Sequence, residues 1–456
     1  MKIARYRQAL VLGLGVSGEA AAKLLLSEGC AVTVVDAADD ENLRTRRSGL
    51  ESLDARVHLG ATALPQDPFD VCIVSPGITV ASPWLKEMAA RKVDVLPELE
   101  LGWSRSKAKT VAVTGTNGKS TVVKWIAESI GQAGRQSVIA GNYGLPVSQA
   151  VMEEPKSDWL VLEVSSFQLE TVREFRPDVA MLLNLLPNHL DRHADMDAYV
   201  AAKARLFSRT KKGDVCVVHA PWLGRMQAVS GGRGRWVSFG SEPADCRFEN
   251  GRVRRGNEDV ADLAGTYFDN EVLGENAAGV VAALTACGVP AEAAERAART
   301  FRALPHRMEE VARAKGIAFI NDSKATTLTA LAAGVRMCAG KVRLIAGGLL
   351  KETDLRFIKE ILAQRVSAIY LMGRASDEMA AAWSDVVRCV PCGTLQAALA
   401  GAWRDASAGE TILLSPGCAS FDQFRSYEDR GDQFRNMAAK IIEEEASCRT
   451  RNHGVS

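Results

Sequence analysis

The chain is short of aromatic residues, which make up 6% of its 456 positions. So low a share argues against a stacking platform for single-stranded nucleic acid. Excess charge is also missing: 56 Lys and Arg stand against 55 Asp and Glu, a formal net charge of +1. That balance excludes a protein that binds polyanions through bulk charge, because phosphate neutralisation needs a basic surplus or a basic face. Long apolar runs are absent as well. The most apolar stretch, residues 277–289, is broken by Gly279, Thr285 and Gly288 and stopped by Pro290. It falls short of the roughly 20 apolar residues that a bilayer demands. Neither membrane insertion nor a nucleic-acid partner is therefore expected. Of ten cysteines only Cys389 and Cys392 form a CxxC pair, with no second pair and no neighbouring histidine. Ligand spacing thus gives little reason to expect zinc. Cys72 and Cys216 lie inside apolar runs and are expected in cores.

What is present fits globular cores. Apolar residues reach 47% and charged residues 24%, a balance that ordinary folded domains share and disordered chains do not. The length suggests about three domains. The basic and apolar start, Met1 to Ala20, reads as a first strand running into a glycine pattern rather than as a secretory signal, so a reducing cytoplasmic location is expected. Short apolar runs recur at residues 9–12, 31–35, 71–74, 110–113, 159–164, 179–183, 215–218, 318–320, 342–345, 368–372 and 411–414. Helix-period stretches such as 18–28, 120–133 and 376–383 lie between many of them. Continuous apolar strands alternating with helices predict parallel sheets covered on both faces, with ligands at the strands' carboxyl ends. Polar or proline-marked breaks at Gly102–Lys109 and Ala303–Arg307 divide the chain into 1–104, 105–303 and 304–456. The polar tail after Glu445 is expected to fray.

Two glycine motifs follow strands. In the first, Gly13-Leu-Gly15-Val16-Ser17-Gly18 opens a helix, and Asp36 ends the next strand. This is the dinucleotide fingerprint in its proper context, where small residues admit phosphate to a helix N-terminus. On residues alone it allows a nicotinamide dinucleotide, another diphosphate such as a UDP-sugar, or a tight turn without ligand. Ser75-Pro76-Gly77 follows another strand and is placed to line the same crevice. In the second motif, Thr114-Gly115-Thr116-Asn117-Gly118-Lys119-Ser120-Thr121 joins an apolar strand to a helix. Backbone amides of such a loop cradle ATP phosphates, the lysine offsets their charge, and a hydroxyl reaches Mg²⁺. Glu163 ends the strand 159–163, and a carboxylate at such an edge is suited to Mg²⁺.

The second loop resembles the ATP loop of the Mur ligases and folylpolyglutamate synthases. Glu163-Val-Ser-Ser-Phe-Gln-Leu-Glu170, Asn321-Asp322-Ser323-Lys324-Ala325-Thr326 and the segment from Leu414 to Gly431 are similar to motifs of the D-glutamate-adding branch of the Mur ligases. The matches keep the family's order over nearly the whole chain. The resemblance implies three α/β domains: a Rossmann-like N-terminal domain, a central P-loop-type ATPase domain with a mostly parallel sheet, and a Rossmann-like C-terminal domain. These would bind, in turn, a UDP-sugar, ATP and an amino acid. The implied reaction phosphorylates the terminal carboxylate of UDP-N-acetylmuramoyl-L-alanine with ATP, and the amine of glutamate then attacks the acyl phosphate.

The resemblance also implies residue roles. Two Mg²⁺ ions are implied, held by Ser120, Glu163, His189 and a carbamylated Lys203, with Lys119, Glu163, His189 and Lys203 as the catalytic set. Gly115 to Thr121, Asn276, Arg307, Asp322 and Lys324 would bind ATP. Gly15, Val16, Ser17, Asp36, Ser75, Gly77, Asn142 and His189 would bind the UDP-sugar. Thr326, Lys351, Ser420 and Tyr427 would form the amino-acid pocket, since a dianionic amino acid needs a cation and several donors. Without the resemblance, His189 reads as an ordinary core or surface histidine and Lys203 as a solvated helix lysine. The chain departs from the family pattern at Gly274-Glu-Asn276, at Gly347-Gly-Leu-Leu-Lys351, which lacks an Asp before the lysine, and at Tyr427, where the family has Phe. A monomer is expected. Competing readings are a relative using L-glutamate or another acceptor, a folylpolyglutamate-type enzyme, a non-catalytic nucleotide sensor and a Rossmann oxidoreductase. The oxidoreductase leaves the Gly115–Thr121 loop unexplained.

Overall fold

The computed structural model describes residues 6–187, 192–241, 243–352 and 354–452, the last seven of these as backbone only. Its strands form three sheets of five, nine and six. The chain divides into two compact units, Met1–Asp269 with Gly274–Thr300, and Asn270–Leu273 with Phe301–Ser456. The first unit holds the first two sheets and the second unit the third.

The first sheet contains β1 (Gln8–Leu12), β2 (Ala31–Val35), β3 (Arg56–His58), β4 (Val71–Val74) and β5 (Asp94–Pro97), in the order β3-β2-β1-β4-β5. All its pairings are parallel. The order reverses between β1 and β4, which opens a crevice beyond their carboxyl ends. The helix Val16–Ser27 packs on this sheet through Gly18, Ala20, Ala21 and Ala22. A Cβ at Gly18 would stand 1.8 Å from the carbonyl oxygen of Gly13, so only glycine permits this approach of helix to strand end.

The second sheet runs from β6 (Lys109–Thr114) through β7 (Ser137–Gly141), β8 (Trp159–Glu163), β9 (Val179–Leu182), β10 (Val215–His219), β11 (Arg235–Phe239), β12 (Cys246–Glu249) and β13 (Arg252–Arg255) to β14 (Glu258–Asp262). Its order is β14-β13-β12-β11-β10-β9-β6-β8-β7. The core strands are parallel, and β12 to β14 form an antiparallel meander. The meander escapes the apolar-run criterion because its residues are charged. Arg252 pairs with Asp259 at 2.8 Å and Arg254 with Glu249 at 3.1 Å, and charged side chains suit an edge that must not recruit another strand.

The third sheet has β15 (Glu309–Ala314), β16 (Ile317–Asn321), β17 (Val342–Gly347), β18 (Val366–Met372), β19 (Cys389–Gly393) and β20 (Thr411–Leu414), in the order β15-β16-β20-β17-β18-β19. Only β15 runs antiparallel. Each apolar run of the sequence is a strand, and Cys72 and Cys216 are buried as expected. The tail corrects one expectation. The last helix, Tyr427–Asn452, continues past Glu445 instead of fraying there. Residues such as Glu443, Glu444, Ala446 and Arg449 favour helix strongly, and Lys315 pairs with Glu445 at 2.6 Å.

The helix Glu98–Arg105 joins the first two sheets through buried carboxylates. Glu98 accepts the amide of Ser148 at 2.5 Å, and Glu100 accepts the amides of Arg173 at 2.6 Å and Glu174 at 2.8 Å. Burial raises the Glu98 carboxyl from its usual 4.5 to about 7, against the opposing pull of the Ser148 amide. The folded chain therefore keeps a proton that the unfolded chain releases, and this group's stabilising contribution falls as pH rises from 4.5 to about 7. Urea unfolding of the wild type should lose stability across that window relative to Glu98→Gln, and parallel curves for the two proteins would contradict the assignment.

Candidate active site

The loop after β6 is shaped by what faces it. Gly118 has φ +84° and caps the helix Lys119–Gln132 with no side-chain hydrogen bond, so the loop leads into the positively polarised N-terminus of that helix, the end that attracts phosphate. The amides of Thr116 and Asn117 are engaged otherwise. Thr116 donates to the Asn184 carbonyl at 2.9 Å, and Asn117 donates to the Asn184 side-chain oxygen at 2.8 Å. Asn184 Nδ2 returns a bond to the Asn117 carbonyl at 3.1 Å. Asn184 follows β9, the strand beside β6, so it acts as a brace clamping the loop from the neighbouring strand end. The Thr116 hydroxyl meets Tyr199 Oη at 3.2 Å and accepts the Leu186 amide at 3.0 Å.

Two lysines converge on this loop. Lys119 Nζ donates to the carbonyls of Gly115 (3.1 Å) and Thr116 (2.8 Å). Lys203 Nζ donates to the same Gly115 carbonyl at 2.9 Å and to Thr114 Oγ1 at 3.2 Å. Lys203 is 1% exposed, so the expectation of a solvated lysine, drawn from the helix alone, gives way to a buried one. Burial pushes its ammonium well below the ordinary lysine range, Lys119 pushes further, and Glu163 opposes them. It also lies 4.7 Å from the centre of the Tyr199 ring.

Glu163 is buried at the end of β8. Its Oε2 accepts the Ser120 hydroxyl and its Oε1 accepts Asn142 Nδ2 at 2.7 Å. Hard oxygen donors gathered beside a helix N-terminus match what Mg²⁺ takes in phosphate sites. Asn276 stands at the same loop: a Cβ on Gly118 would lie 3.0 Å from its Nδ2. His189 lies outside the described residues. Asn142, expected at the UDP-sugar, stands at Glu163 and does not line the first crevice.

That crevice has a volume of about 370 Å³. Gly15, Val16, Ser17, Asp36, Ser75 and Gly77 all line it, with Ile78 and Trp84 as additions that sequence reasoning missed. Asp36 braces the glycine loop, accepting the Leu14 amide at 2.7 Å and the Ala38 amide at 2.9 Å. Arg192 ties the second sheet's domain to this crevice. It donates to the carbonyls of Pro76 (2.7 Å) and Ile78 (3.1 Å) and pairs with Glu170 at 2.6 Å.

In the second unit, Asp322, Lys324, Thr326, Lys351 and Ser420 sit on loops beyond the carboxyl ends of three adjacent strands, β16, β20 and β17, while Arg307 precedes β15 and Tyr427 opens the last helix. Asp322 is buried, accepts Ser415 Oγ at 2.8 Å, and is raised by burial to about 7. Lys324 Nζ donates to Tyr427 Oη at 2.9 Å. The Gly417 amide donates to the Ala325 carbonyl at 2.9 Å, beside Thr326. Leu349 and Ala419 exchange amide bonds of 2.8 and 2.9 Å, linking the loop of Lys351 to that of Ser420. Arg307 stands between two residues in left-handed backbone, His306 (φ +61°) and Met308 (φ +47°), and strain of this kind concentrates at functional segments.

Three parallel-rich α/β sheets, one with a phosphate-type loop and a buried Ser–Glu pair, define a multidomain α/β protein of the nucleotide-binding class. Family models match in chain order: a Mur ligase MurD-like N-terminal domain at residues 7–97, a Mur ligase middle domain at 113–266 and a Mur ligase glutamate ligase domain at 306–418. A protein of Acidobacterium capsulatum named UDP-N-acetylmuramoylalanine–D-glutamate ligase is 36% identical over 94% of this chain and 96% of its own length. One of the same name from Nitratidesulfovibrio vulgaris is 38% identical over 94% and 95%. The fold is that of a MurF ligase from Thermotoga maritima solved with ADP, with a TM-score of 0.62 at 16% identity, over 91% of this chain and 96% of that one. The chain belongs to the Mur ligase family.

Replacing Asn184 by Ala deletes three hydrogen bonds of the loop and leaves the Asn117 amide without its partner. The expected loss is about 2 kcal/mol in urea unfolding. An unchanged midpoint would show that Asn184 is not the brace.

Proposed function

We propose that this chain is an ATP-dependent ligase that joins D-glutamate to UDP-N-acetylmuramoyl-L-alanine in cytoplasmic peptidoglycan precursor synthesis. The observation that carries this reading is the meeting of Lys119 and Lys203 on one carbonyl beside the Ser120–Glu163 pair. Lys119 sets a cation on a braced phosphate loop, as a polyanion requires, and burial beside it disfavours the ammonium of Lys203. The names of the relatives support the substrates. The division into 1–104, 105–303 and 304–456, with UDP-sugar, ATP and amino acid taken in turn, is part of the same proposal, as is a monomeric enzyme.

In this reading the acceptor's terminal carboxylate takes the γ-phosphoryl group of ATP, and the glutamate amine displaces phosphate from the acyl phosphate to leave an amide. Lys119 and the first amides of its helix offset charge building on the transferred group, the term that dominates phosphoryl transfer. Ser120 and Glu163 would hold one Mg²⁺, and Lys203 with His189 a second. Bound there, the metal neutralises phosphate oxygens and orients the acceptor carboxylate. Lys203 serves as a carbamate. Burial disfavours the ammonium of Lys203, and the free amine is the form that adds carbon dioxide, losing a proton and gaining an anionic oxygen. Asn276 is assigned to ATP binding, as are Arg307, Asp322 and Lys324. Thr326, Lys351, Ser420 and Tyr427 take the two carboxylates of glutamate, and the first crevice takes the UDP moiety.

Phosphate release should require ATP, UDP-N-acetylmuramoyl-L-alanine and D-glutamate together, with L-glutamate inactive. Lys119→Ala and Glu163→Ala should each lose on the order of a hundredfold or more in rate. Lys203→Ala should regain part of its rate with added short carboxylates. Full-rate hydrolysis of ATP without glutamate would overturn the proposal.

A further inference from the structure

Arg430, on the first turn of the last helix, belongs to none of the roles above. Its side chain is wholly buried, one of the largest such side chains among the described residues. Its hydrogen-bond partners among the described residues are neutral. Nε donates to the Ser323 hydroxyl at 3.0 Å, and Nη2 donates to the carbonyls of Ser323 at 2.8 Å and Cys418 at 3.1 Å. Nη1 is buried and has no hydrogen-bond partner among the described residues. It faces the loop of Lys351, where a Cβ on Gly348 would lie 3.4 Å away. Asp422 acts on the guanidinium only through its field, and burial lowers Arg430 to about 10, so it stays charged at neutral pH. A buried cation without a hydrogen-bonded anion costs several kcal/mol, and a fold that needed only packing would place an apolar side chain there.

The position suggests what the charge does. Ser323 precedes Lys324, and its hydroxyl donates to the Tyr427 carbonyl at 2.8 Å. Cys418 lies two residues before Ser420, and Gly348 three before Lys351. One guanidinium thus joins the loops after β16 and β20 to the helix that bears Tyr427, and its open arm faces the loop after β17. We infer that Arg430 is a positioning residue for the amino-acid pocket, fixing Lys324, Ser420 and Tyr427 relative to one another, and that its Nη1, which no carboxylate among the described residues hydrogen-bonds, lends positive charge to the pocket for a dicarboxylic amino acid. The inference rests on the glutamate site proposed above. Lysine at this position keeps the charge and loses the three-way grip, because a single ammonium cannot reproduce the planar fork.

The test is steady-state phosphate release and calorimetric titration of D-glutamate with the full-length chain, as wild type and as Arg430→Lys, with melting temperature as the folding check. The titration uses a non-hydrolysable ATP analogue, Mg²⁺ and UDP-N-acetylmuramoyl-L-alanine. Arg430→Lys should melt within a few degrees of wild type. Its KM and Kd for D-glutamate should rise about tenfold or more while KM for ATP and for the UDP-linked acceptor changes less than twofold. Should Arg430→Lys fail to fold, Ser323→Ala, which removes the Nε partner and the bond to Tyr427, is expected to shift the glutamate terms in the same direction by a smaller factor. Equal glutamate constants in wild type and variant, or a loss spread evenly over all three substrates, would overturn this inference alone. Failure of the wild type itself to bind glutamate would overturn the glutamate reading on which it rests.

Discussion

Two amines share one carbonyl oxygen at the end of β6, and the rest of the first unit is arranged around that constraint. Like charges brought near one another in a desolvated site repel, and among the described residues the carboxylate acting on Lys203 is Glu163, which is itself occupied by Ser120 and Asn142. Lys119 is the cation that an entering anion would meet at this loop. The brace from Asn184 fixes the loop for one, because it ties down the Thr116 and Asn117 amides ahead of the helix start. The rigidity of the loop and the charge it presents are two aspects of one arrangement.

The three sheets repeat a single solution. Each places its candidate side chains on loops beyond the carboxyl ends of adjacent parallel strands: β1 and β4 in the first, β6, β8 and β9 in the second, β16, β17 and β20 in the third. Neighbouring strand ends can brace one another's loops, as Asp36 does for Leu14 and Asn184 for Thr116, and the last helix braces the loop of Cys418 through Arg430. The interior polar groups follow the same logic. Glu98 and Glu100 accept backbone amides that would otherwise be orphaned, which is how a buried carboxylate remains tolerable.

Much of this was legible in the sequence, for physical reasons. A parallel strand buried on both faces must be apolar throughout, so such strands announce themselves. The strands 246–262, with arginines and acids on an exposed edge, do not. Gly18 and Gly118 were legible because close approach and left-handed backbone demand glycine. Lys203 was not, since a helical lysine gives no sign of burial until the loop it touches is known. Asn184, Arg192 and Arg430 act through backbone carbonyls and amides far along the chain. Only the polar character of Asn184 just past an apolar strand offered a hint of its role. The tail beyond Glu445 read as frayed because its polarity outweighed its helix propensity, and the helix carries on.

The central claim is that Lys119, on the loop it shares with the buried amine of Lys203, is the cation that a polyanion meets. Melting temperature with and without magnesium–ATP, for wild type and Lys119→Met, tests it most directly, because a ligand that binds only the folded state raises stability in proportion to its affinity. The account predicts that the variant melts no lower than wild type when unliganded, since one of two mutually repelling groups is gone, and that the nucleotide no longer raises its melting temperature. A variant that melts well below wild type yet keeps the full nucleotide shift would contradict it.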